Sequence, residues 1–452
     1  MSYKNKLLSI IPGGAHTYSR GHDQFPSNAP EILDRGKGAY VYDAEGNEYL
    51  DYGMALRAVN IGYSYNEIDE AAIVQIKKGN NLTRPSLIEL EAAELIVDLI
   101  DSVDMVKFTK NGSTSVSAAV KLSRAYTGRN IVARCAQHPF FSYDDWFIGS
   151  TPLTKGIPQD TIDMTKMFQY NDIESLERLI DEYPDEIACV VLEPAAAECP
   201  STTEIKGGCC EERQCSRSQE KTGVNFLQQV EKLCRKHGIV FVLDEMITGF
   251  RWHMKGAQHV YGVTPDLCTF GKAMANGFSV SCIAGRRELM EQGSIELEGQ
   301  ERLFLLSTTH GAEMSGLGAF VKTVEVMQRE NVIEHLWSYG YDLKSTIKRL
   351  AAESGLGDHF IVNGPSCSPV FTTLDNKQEN SLPFRTLFSQ EMIRNGVLMP
   401  WIALCFQHGK VELEKTEVAL AESFKIYKKA LDEGVERYLI GDAIKPVFRK
   451  YN

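Results

Sequence analysis

The sequence lacks any apolar segment long enough to cross a membrane, which would need about 20 apolar residues. Near its start only Leu7 to Ile11 form a short apolar stretch, without a small-residue cleavage site after it. This start does not match a secretory signal peptide. We therefore expect neither a membrane anchor nor export.

Positive charge is also scarce, since the 452 residues carry a net charge of −12. An acidic chain is a poor partner for nucleic acid or for an anionic membrane surface. The apolar fraction of 43% and the charged fraction of 24% are ordinary for a soluble globular protein. The chain is long enough to bury a large core and to hold more than one substructure.

A disulfide framework is missing as well, although the chain contains 11 cysteines. Cys189, Cys268 and Cys282 each stand alone in an apolar segment, which is typical of buried free thiols. We expect a reduced, cytoplasmic protein.

Residues 199–222 form one polar, glycine-bearing break that holds cysteines at 199, 209, 210 and 215. The composition indicates a surface loop. A metal site is the alternative, but the cysteine spacing is not that of a zinc ribbon and the segment contains no histidine. We therefore predict no metal ligand.

From about 105 to 310, short apolar runs alternate with helical patterns. This alternation predicts an α/β domain with a mainly parallel sheet, and we place it at residues 61–325. Residues 1–60 and 326–452 predict a smaller α+β domain built from both chain ends. Strands are expected at 39–43, 48–51, 106–109, 131–133, 188–192 and 239–243. Helices are expected at 66–78, 87–101, 114–127, 172–182, 224–237, 313–331, 335–354 and 411–433.

Asp244 ends the apolar run that begins at Ile239, and Lys272 follows in the small-residue turn Thr269-Phe270-Gly271-Lys272. A lysine amine can bond to the aldehyde of pyridoxal phosphate. A buried carboxylate can keep the pyridine nitrogen of that cofactor protonated, so that the ring accepts electrons. This pair predicts a pyridoxal-phosphate enzyme.

The turn Asn111-Gly112-Ser113-Thr114 connects a predicted strand to a predicted helix. Backbone N–H groups, hydroxyls and the helix dipole together favour a phosphate at such a turn. The alternative is an ordinary helix cap by Ser113. The pair Asp244 and Lys272 downstream favours the phosphate site.

Other candidate residues follow predicted strands or precede helices. Glu193 ends a buried strand before Pro194, at the edge where α/β sheets bind ligands. His138 and Phe140 follow another strand, and either ring could stack on the pyridine ring; plain packing is the alternative. Thr308 lies before a helix, where a hydroxyl contributes to a phosphate site or merely caps the helix.

Together these motifs resemble the class III aminotransferases of pyridoxal phosphate fold type I, the aspartate-aminotransferase-like fold, and most closely the glutamate-1-semialdehyde 2,1-aminomutase subgroup. The resemblance covers most of the chain and implies a seven-stranded type of sheet and a homodimer with shared active sites. The segments that carry it are Pro12-Gly13-Gly14, Asp43 to Tyr52, Asn111 to Arg129, Glu193-Pro194, Leu243 to Arg251 and Pro265 to Lys272.

The resemblance implies a role for each candidate residue. Lys272 would be the Schiff-base lysine and the proton carrier, and Asp244 would hold the pyridinium. Thr308 would bind phosphate from the partner subunit, and Arg20 would hold a substrate carboxylate. The remaining cofactor contacts would be Gly112, Ser113, Thr114, His138 or Phe140, Glu193 and Met246.

Two departures bear on the reaction. Where the aminomutases carry a glutamate, this chain has Met399 to Leu404 without a carboxylate, and residues 199–222 are longer than the family spacing. We therefore predict an aminotransferase that uses an amino-acid donor and a keto-acid or sugar-derived carbonyl. Intramolecular amino transfer of the aminomutase type is the alternative, and either reaction would use residues 142–168 as a mobile lid. A cofactor-binding relic with an assembly role is a third possibility, against which Lys272 and Asp244 argue.

Overall fold

The computed structural model describes residues 2–202 and 223–452, so positions 203–222 of the cysteine-bearing segment lie outside the described residues. The chain divides into two compact units. One unit contains the residues up to 65 together with 335–452, and the other contains 66–334. Both divisions fall a few residues after the expected boundaries at 60/61 and 325/326.

In the described residues the strands alternate with helices through the middle of the chain. The strands are β1 Leu33–Lys37, β2 Tyr40–Asp43, β3 Glu48–Asp51, β4 Met105–Thr109, β5 Ile131–Cys135, β6 Thr165–Phe168, β7 Ile187–Leu192, β8 Val240–Asp244, β9 Leu267–Phe270, β10 Ser281–Gly285, β11 Phe360–Asn363, β12 Val370–Thr373 and β13 Val397–Leu398.

The helices of the described residues lie between and after these strands. They are α1 Tyr3–Ile10, α2 Met54–Arg57, α3 Asn66–Lys77, α4 Leu87–Leu99, α5 Gly112–Thr127, α6 Asp145–Ile148, α7 Gln159–Asp163, α8 Ile173–Glu182, α9 Phe226–His237, α10 Ala257–Tyr261, α11 Arg287–Met290, α12 Met314–Arg329, α13 Val332–Glu353, α14 Leu382–Arg394 and α15 Lys410–Glu433.

The unit of residues 66–334 is built on a seven-stranded sheet in the order β4-β10-β9-β8-β7-β5-β6. Only β10 runs antiparallel to its neighbours in this sheet. Every residue of β7 and β8 is buried, as expected for parallel strands covered on both faces. The sheet confirms the predicted α/β class and its mainly parallel, seven-stranded form.

The other unit contains two smaller sheets. One has the order β1-β2-β3-β13, with the predicted hairpin β2–β3 antiparallel and β13 parallel to β3. The second pairs β11 with β12. The element α2 is a left-handed turn, since φ lies between 40° and 68° from Met54 to Arg57. Left-handed turns of L-residues cost about 1–2 kcal/mol per residue, so this segment is strained.

Two sequence predictions need correction. The predicted lid, residues 142–168, is not a continuous loop, because residues 165–168 form the edge strand β6, which pairs in parallel with β5. Cys199 does not lie on a surface loop either, since its thiol is buried and accepts a hydrogen bond from the Tyr261 hydroxyl at 3.8 Å. Among the described residues, no helix combines the length and apolar character needed to cross a membrane.

Candidate active site

The candidate residues in the unit of residues 66–334, except Thr308, lie along one edge of its sheet. Strands β4, β5, β7, β8 and β9 point the same way, so their carboxyl ends meet at this edge. Ligands of open α/β sheets bind at this edge. The candidates that follow these strand ends are Ser113, Thr114, His138, Phe140, Glu193, Asp244, Met246 and Lys272.

Asp244 is the last residue of β8 and is 2% exposed. Its Oδ1 accepts hydrogen bonds from the N–H of Met246 at 2.9 Å and from Thr269 Oγ1 at 3.1 Å. Neither bond uses Oδ2, so this oxygen is left for a donor from a ligand. Burial raises the pKa of Asp244 to about 6, and the charge of Lys272 acts to lower it. The carboxylate is therefore ionised at neutral pH and can pair with a cation.

Lys272 opens a short 3-10 turn, Lys272–Ala275, directly after β9 and Gly271. Its φ of 44° lies in the left-handed region, which residues with a side chain rarely adopt. Strain of this kind costs about 1–3 kcal/mol and clusters at functional sites. The half-buried lysine lies within electrostatic reach of Asp244. The structure thus brings together the amine and the carboxylate that the sequence singled out.

Met246 packs against two glycines that lead into functional turns. A Cβ on Gly112 would lie 2.7 Å from Met246 Sδ, and a Cβ on Gly271 would lie 2.6 Å from the same atom. Both distances are shorter than an ordinary carbon–sulfur contact, so a side chain at either position would displace Met246. The start of α5, the end of β8 and the turn of Lys272 therefore lie in direct contact around one methionine.

The helix α5 begins at Gly112, with Asn111 as its cap. Asn111 Oδ1 accepts the N–H of Thr114 at 2.9 Å. The sequence offered Ser113 as the alternative cap; this is wrong, because Ser113 already lies in the first helical turn. The first N–H groups of a helix have no carbonyl partner within it, and the helix dipole favours an anion there. Gly112 and Ser113 supply those N–H groups.

The hydroxyls of this turn differ in what they can still donate. Ser113 Oγ accepts the N–H of Tyr143 at 3.2 Å and keeps its own proton for another acceptor. Thr114 Oγ1 donates to Asn111 Oδ1 at 3.0 Å and lies 3.4 Å from the Tyr143 hydroxyl. Tyr143 is exposed at this helix start and was missed by the sequence reasoning, which treated its segment as a lid. No local pattern could have identified it, because only the fold brings it to Thr114.

His138 and Phe140 differ sharply in environment. His138 is 2% exposed, and its Nδ1 accepts the N–H of Glu193 at 3.0 Å. Burial lowers the pKa of His138 to about 3, so the imidazole is neutral at physiological pH. Phe140 is 47% exposed and its ring meets Phe147 edge-on at 5.7 Å. The hydrogen bond fixes the imidazole plane, as a stacking ring would require, whereas Phe140 has no comparable restraint.

The acidic residues after β7 and β8 have separate tasks. The carboxylate of Glu193 is buried at the end of β7. Glu245, next to Asp244, accepts the N–H groups of Ala257 and Gln258, each at 2.9 Å, and so caps α10. Glu245 is therefore a structural residue, while Asp244 keeps an oxygen for a ligand.

The two remaining candidates lie away from this sheet edge or in the other unit. Thr308 is exposed in an irregular segment before α12, and its carbonyl accepts the N–H of Gly311 at 3.2 Å. Arg20 belongs to the unit containing the chain ends. There it lines a cavity of about 590 Å³ that Trp401 also lines.

Comparison with known proteins identifies one family model. The model of the class-III aminotransferases matches residues 18–360. Among curated proteins, a 3-aminobutyryl-CoA aminotransferase of Cloacimonas acidaminovorans is 30% identical over 95% of this chain and 98% of its own. A glutamate-1-semialdehyde 2,1-aminomutase of Clostridium tetani is 28% identical over 86% of this chain and 90% of its own.

Solved structures agree on the fold. The FumI protein of Sphingopyxis sp. MTA144, solved in a pyridoxal-phosphate form, superposes with a TM-score of 0.81 at 24% sequence identity. The superposition covers 95% of this chain and 97% of the FumI chain.

Proposed function

Because the chain belongs to the class-III aminotransferase family and is a pyridoxal-phosphate-dependent transaminase, we propose a role for each site residue. We also propose the class of its amino donor. The observation that carries the proposal is the pair formed by Asp244 and Lys272. It combines a buried carboxylate with an available Oδ2 and an amine within its electrostatic reach.

The residues at the sheet edge fit pyridoxal phosphate. Gly112 and Gly271 let Met246 pack directly against both turns, and the start of α5 offers N–H groups to a phosphate. When bound, the cofactor supplies an electron-accepting ring that stabilises negative charge on the substrate carbon beside the nitrogen. Asp244 Oδ2 would accept the pyridinium N–H, and Ser113 Oγ would donate to the phosphate. Thr114 and Gly112 would contribute to the same phosphate site.

Lys272 would hold the cofactor through Nζ and, once displaced by the donor amine, carry the substrate proton as a general base. A lysine suits this work because burial lowers its pKa toward neutrality. The left-handed backbone of Lys272 fixes where this amine starts from. His138 would lie against the cofactor ring, since its plane is fixed by the Glu193 N–H. Phe140 would play no part in stacking.

We propose that the amino donor carries a carboxylate held by Arg20 and an amino group on the carbon two positions away. Arg20 lines this cavity together with Glu31, Asp34 and Asp51. A guanidinium can hold a substrate carboxylate in a bidentate contact, and this is the role that we propose for Arg20. One relative bears the name of an aminotransferase for 3-aminobutyryl-CoA, whose amino group is at carbon 3. The carboxyl group of that compound is a thioester, so the name supports the position of the amino group, whereas the donor carboxylate is proposed from Arg20. The acceptor would be a keto acid or a sugar-derived carbonyl.

The test screens amino donors with the wild type and with Lys272→Ala. The change in the absorbance of the cofactor measures the conversion by each donor. We expect β-amino acids to convert the cofactor faster than α-amino acids in the wild type, and no conversion in the variant. Arg20→Ala should raise KM for carboxylate-bearing donors with little change in kcat. Conversion of the cofactor by Lys272→Ala would contradict the assignment. Turnover of one substrate without a second amino acid would point to the aminomutase reaction.

We also propose a homodimer. The helices α3 and α4 and the loop between them expose large apolar side chains, which mark interfaces when they are grouped. These side chains are Ile73, Val74, Ile76, Leu82, Leu87 and Leu90. The eight cysteines of the described residues are buried and none of them is in a disulfide, which supports a reducing, cytoplasmic location.

A further inference from the structure

Two neighbouring cavities lie in the unit of residues 1–65 and 335–452, with volumes of about 590 Å³ and about 510 Å³. We name them the Arg20 cavity and the Arg385 cavity after a basic residue that lines each. Of all the lining residues, only Pro400 and Trp401 are shared by both. The two spaces therefore meet at this proline and tryptophan.

The Arg385 cavity is suited to an anion. Arg385 and Lys445 line it, and no aspartate or glutamate does. The guanidinium of Arg385 donates to the carbonyls of Phe371 at 3.0 Å and Pro400 at 2.6 Å, so it is fixed in place. Burial lowers the pKa of Arg385 to about 10, which leaves it charged at neutral pH. A carboxylate that reached this cavity would find an uncompensated positive charge.

Trp401 is held between the two cavities by its own hydrogen bond. The indole N–H donates to the carbonyl of Gly53 at 3.0 Å. Gly53 immediately precedes α2, the strained left-handed turn, whose Ala55 and Leu56 line the Arg20 cavity. On the other side, the Arg385 guanidinium holds the carbonyl of Pro400, the residue before the indole. The tryptophan is thus restrained from both sides, as a fixed wall would be.

We propose that Trp401 sets the length of the substrate by closing the Arg20 cavity off from the Arg385 cavity. This inference rests on the proposed binding of the donor carboxylate at Arg20. A short donor fits within the Arg20 cavity, whereas a donor with a second, distal carboxylate is stopped by the indole. Without the indole, the distal carboxylate would enter the Arg385 cavity and meet Arg385 and Lys445.

The experiment compares Trp401→Ala and Trp401→Phe holoenzymes with the wild type on acidic amino donors of increasing length. We expect Trp401→Ala to raise kcat/KM for the long dicarboxylic donors by about 10-fold relative to the short ones, the effect of added room in a pocket. Trp401→Phe should leave the ranking of donors unchanged, because an aromatic ring at this position still separates the two cavities. Equal changes for all donors in Trp401→Ala would overturn the proposal.

Lys445→Ala provides the matched control. This change should not affect the wild type, whose Arg385 cavity is closed to substrate, but it should remove the gain in the Trp401→Ala background. Calorimetric binding of unreactive dicarboxylates to the same holoenzymes gives a readout independent of turnover. If no donor reacts, the proposed function fails. The binding measurements would still show whether Trp401 separates the two cavities. Trp401→Leu replaces Trp401→Ala if circular dichroism shows that the alanine variant does not fold.

Discussion

The carboxylate of Asp244 accepts both of its hydrogen bonds through Oδ1, which leaves Oδ2 for a ligand. Met246 N–H and Thr269 Oγ1 hold Oδ1, so the carboxylate is oriented before any ligand arrives. Burial disfavours its charge and Lys272 favours it. A pyridinium beside Oδ2 would add a second cation and stabilise the ionised form.

We predict that Asp244→Asn lowers the rate of the donor half-reaction by about 10²-fold or more, the usual effect of removing one preorganised electrostatic contact. The amide oxygen still accepts from Met246 and Thr269, so the fold should be retained. Stopped-flow absorbance of the cofactor measures the rate. Asp266→Asn is the control, because Asp266 binds the N–H of Phe241 and Arg286 away from the sheet edge and should change stability rather than rate.

The pKa of Asp244 also predicts how the stabilisation by the cofactor depends on pH in the wild type and in Asp244→Asn. In the cofactor-free protein this pKa is raised from 3.8 to about 6. Between these two pH values, Asp244 is protonated in the folded state and ionised in the unfolded state. The contribution of Asp244 to stability is therefore lost as pH rises through about 6. Pairing with the cofactor offsets that loss, so the gain in Tm on cofactor binding should be larger at pH 7.5 than at pH 5. Asp244→Asn should show no such increase.

At the level of elements, the helix cap of α5 coincides with the proposed phosphate site. Asn111 caps the helix, Gly112 makes room for Met246, and Ser113 keeps a proton to donate. The cap holds the first turn in place, and the first turn would present N–H groups to the phosphate. Loss of the cap should therefore weaken cofactor binding as well as stability.

We predict that Asn111→Ala lowers stability by about 1 kcal/mol and weakens cofactor affinity severalfold. Asn225→Ala is the matched control, since Asn225 caps α9 through the N–H of Gln228 at 3.0 Å in the same unit. It should cost similar stability without a change in affinity. Thermal denaturation and cofactor titration measure the two effects. Equal losses of cofactor affinity in both variants would refute a ligand role for the α5 start.

The elements that could be predicted from the sequence were those whose burial pattern is local. The apolar run of β8 predicted its own strand and the position of Asp244 at its end. Strand β6 was missed because its four residues, Thr165–Phe168, are half polar and gain their partner only by pairing with β5. The contact of Tyr143 with Thr114 was missed for the same reason, since it depends on tertiary structure rather than on spacing.

At the scale of the whole molecule, the family resemblance implied a homodimer, but no apolar interface surface could be identified from the sequence. Helical periodicity could not show that Leu87 would be 87% exposed, because a helix with apolar residues on several sides normally buries them. The exposed apolar residues of α3 and α4 support the proposed homodimer. The exposed position of Thr308, which resemblance assigns to the neighbouring active site, is compatible with the same assembly.

This assembly leads to a complementation test between two impaired variants. If Thr308 serves the active site of the partner, Lys272→Ala and Thr308→Ala subunits each lack a different half of the site. Unfolded together and refolded as a mixture, they should form heterodimers in which one site has both residues. Random pairing would restore about one site in four. Activity of the mixture should therefore exceed the mean of the separately refolded variants, with size-exclusion light scattering confirming the dimer. Activity equal to that mean would show that Thr308 acts within its own subunit or not at all.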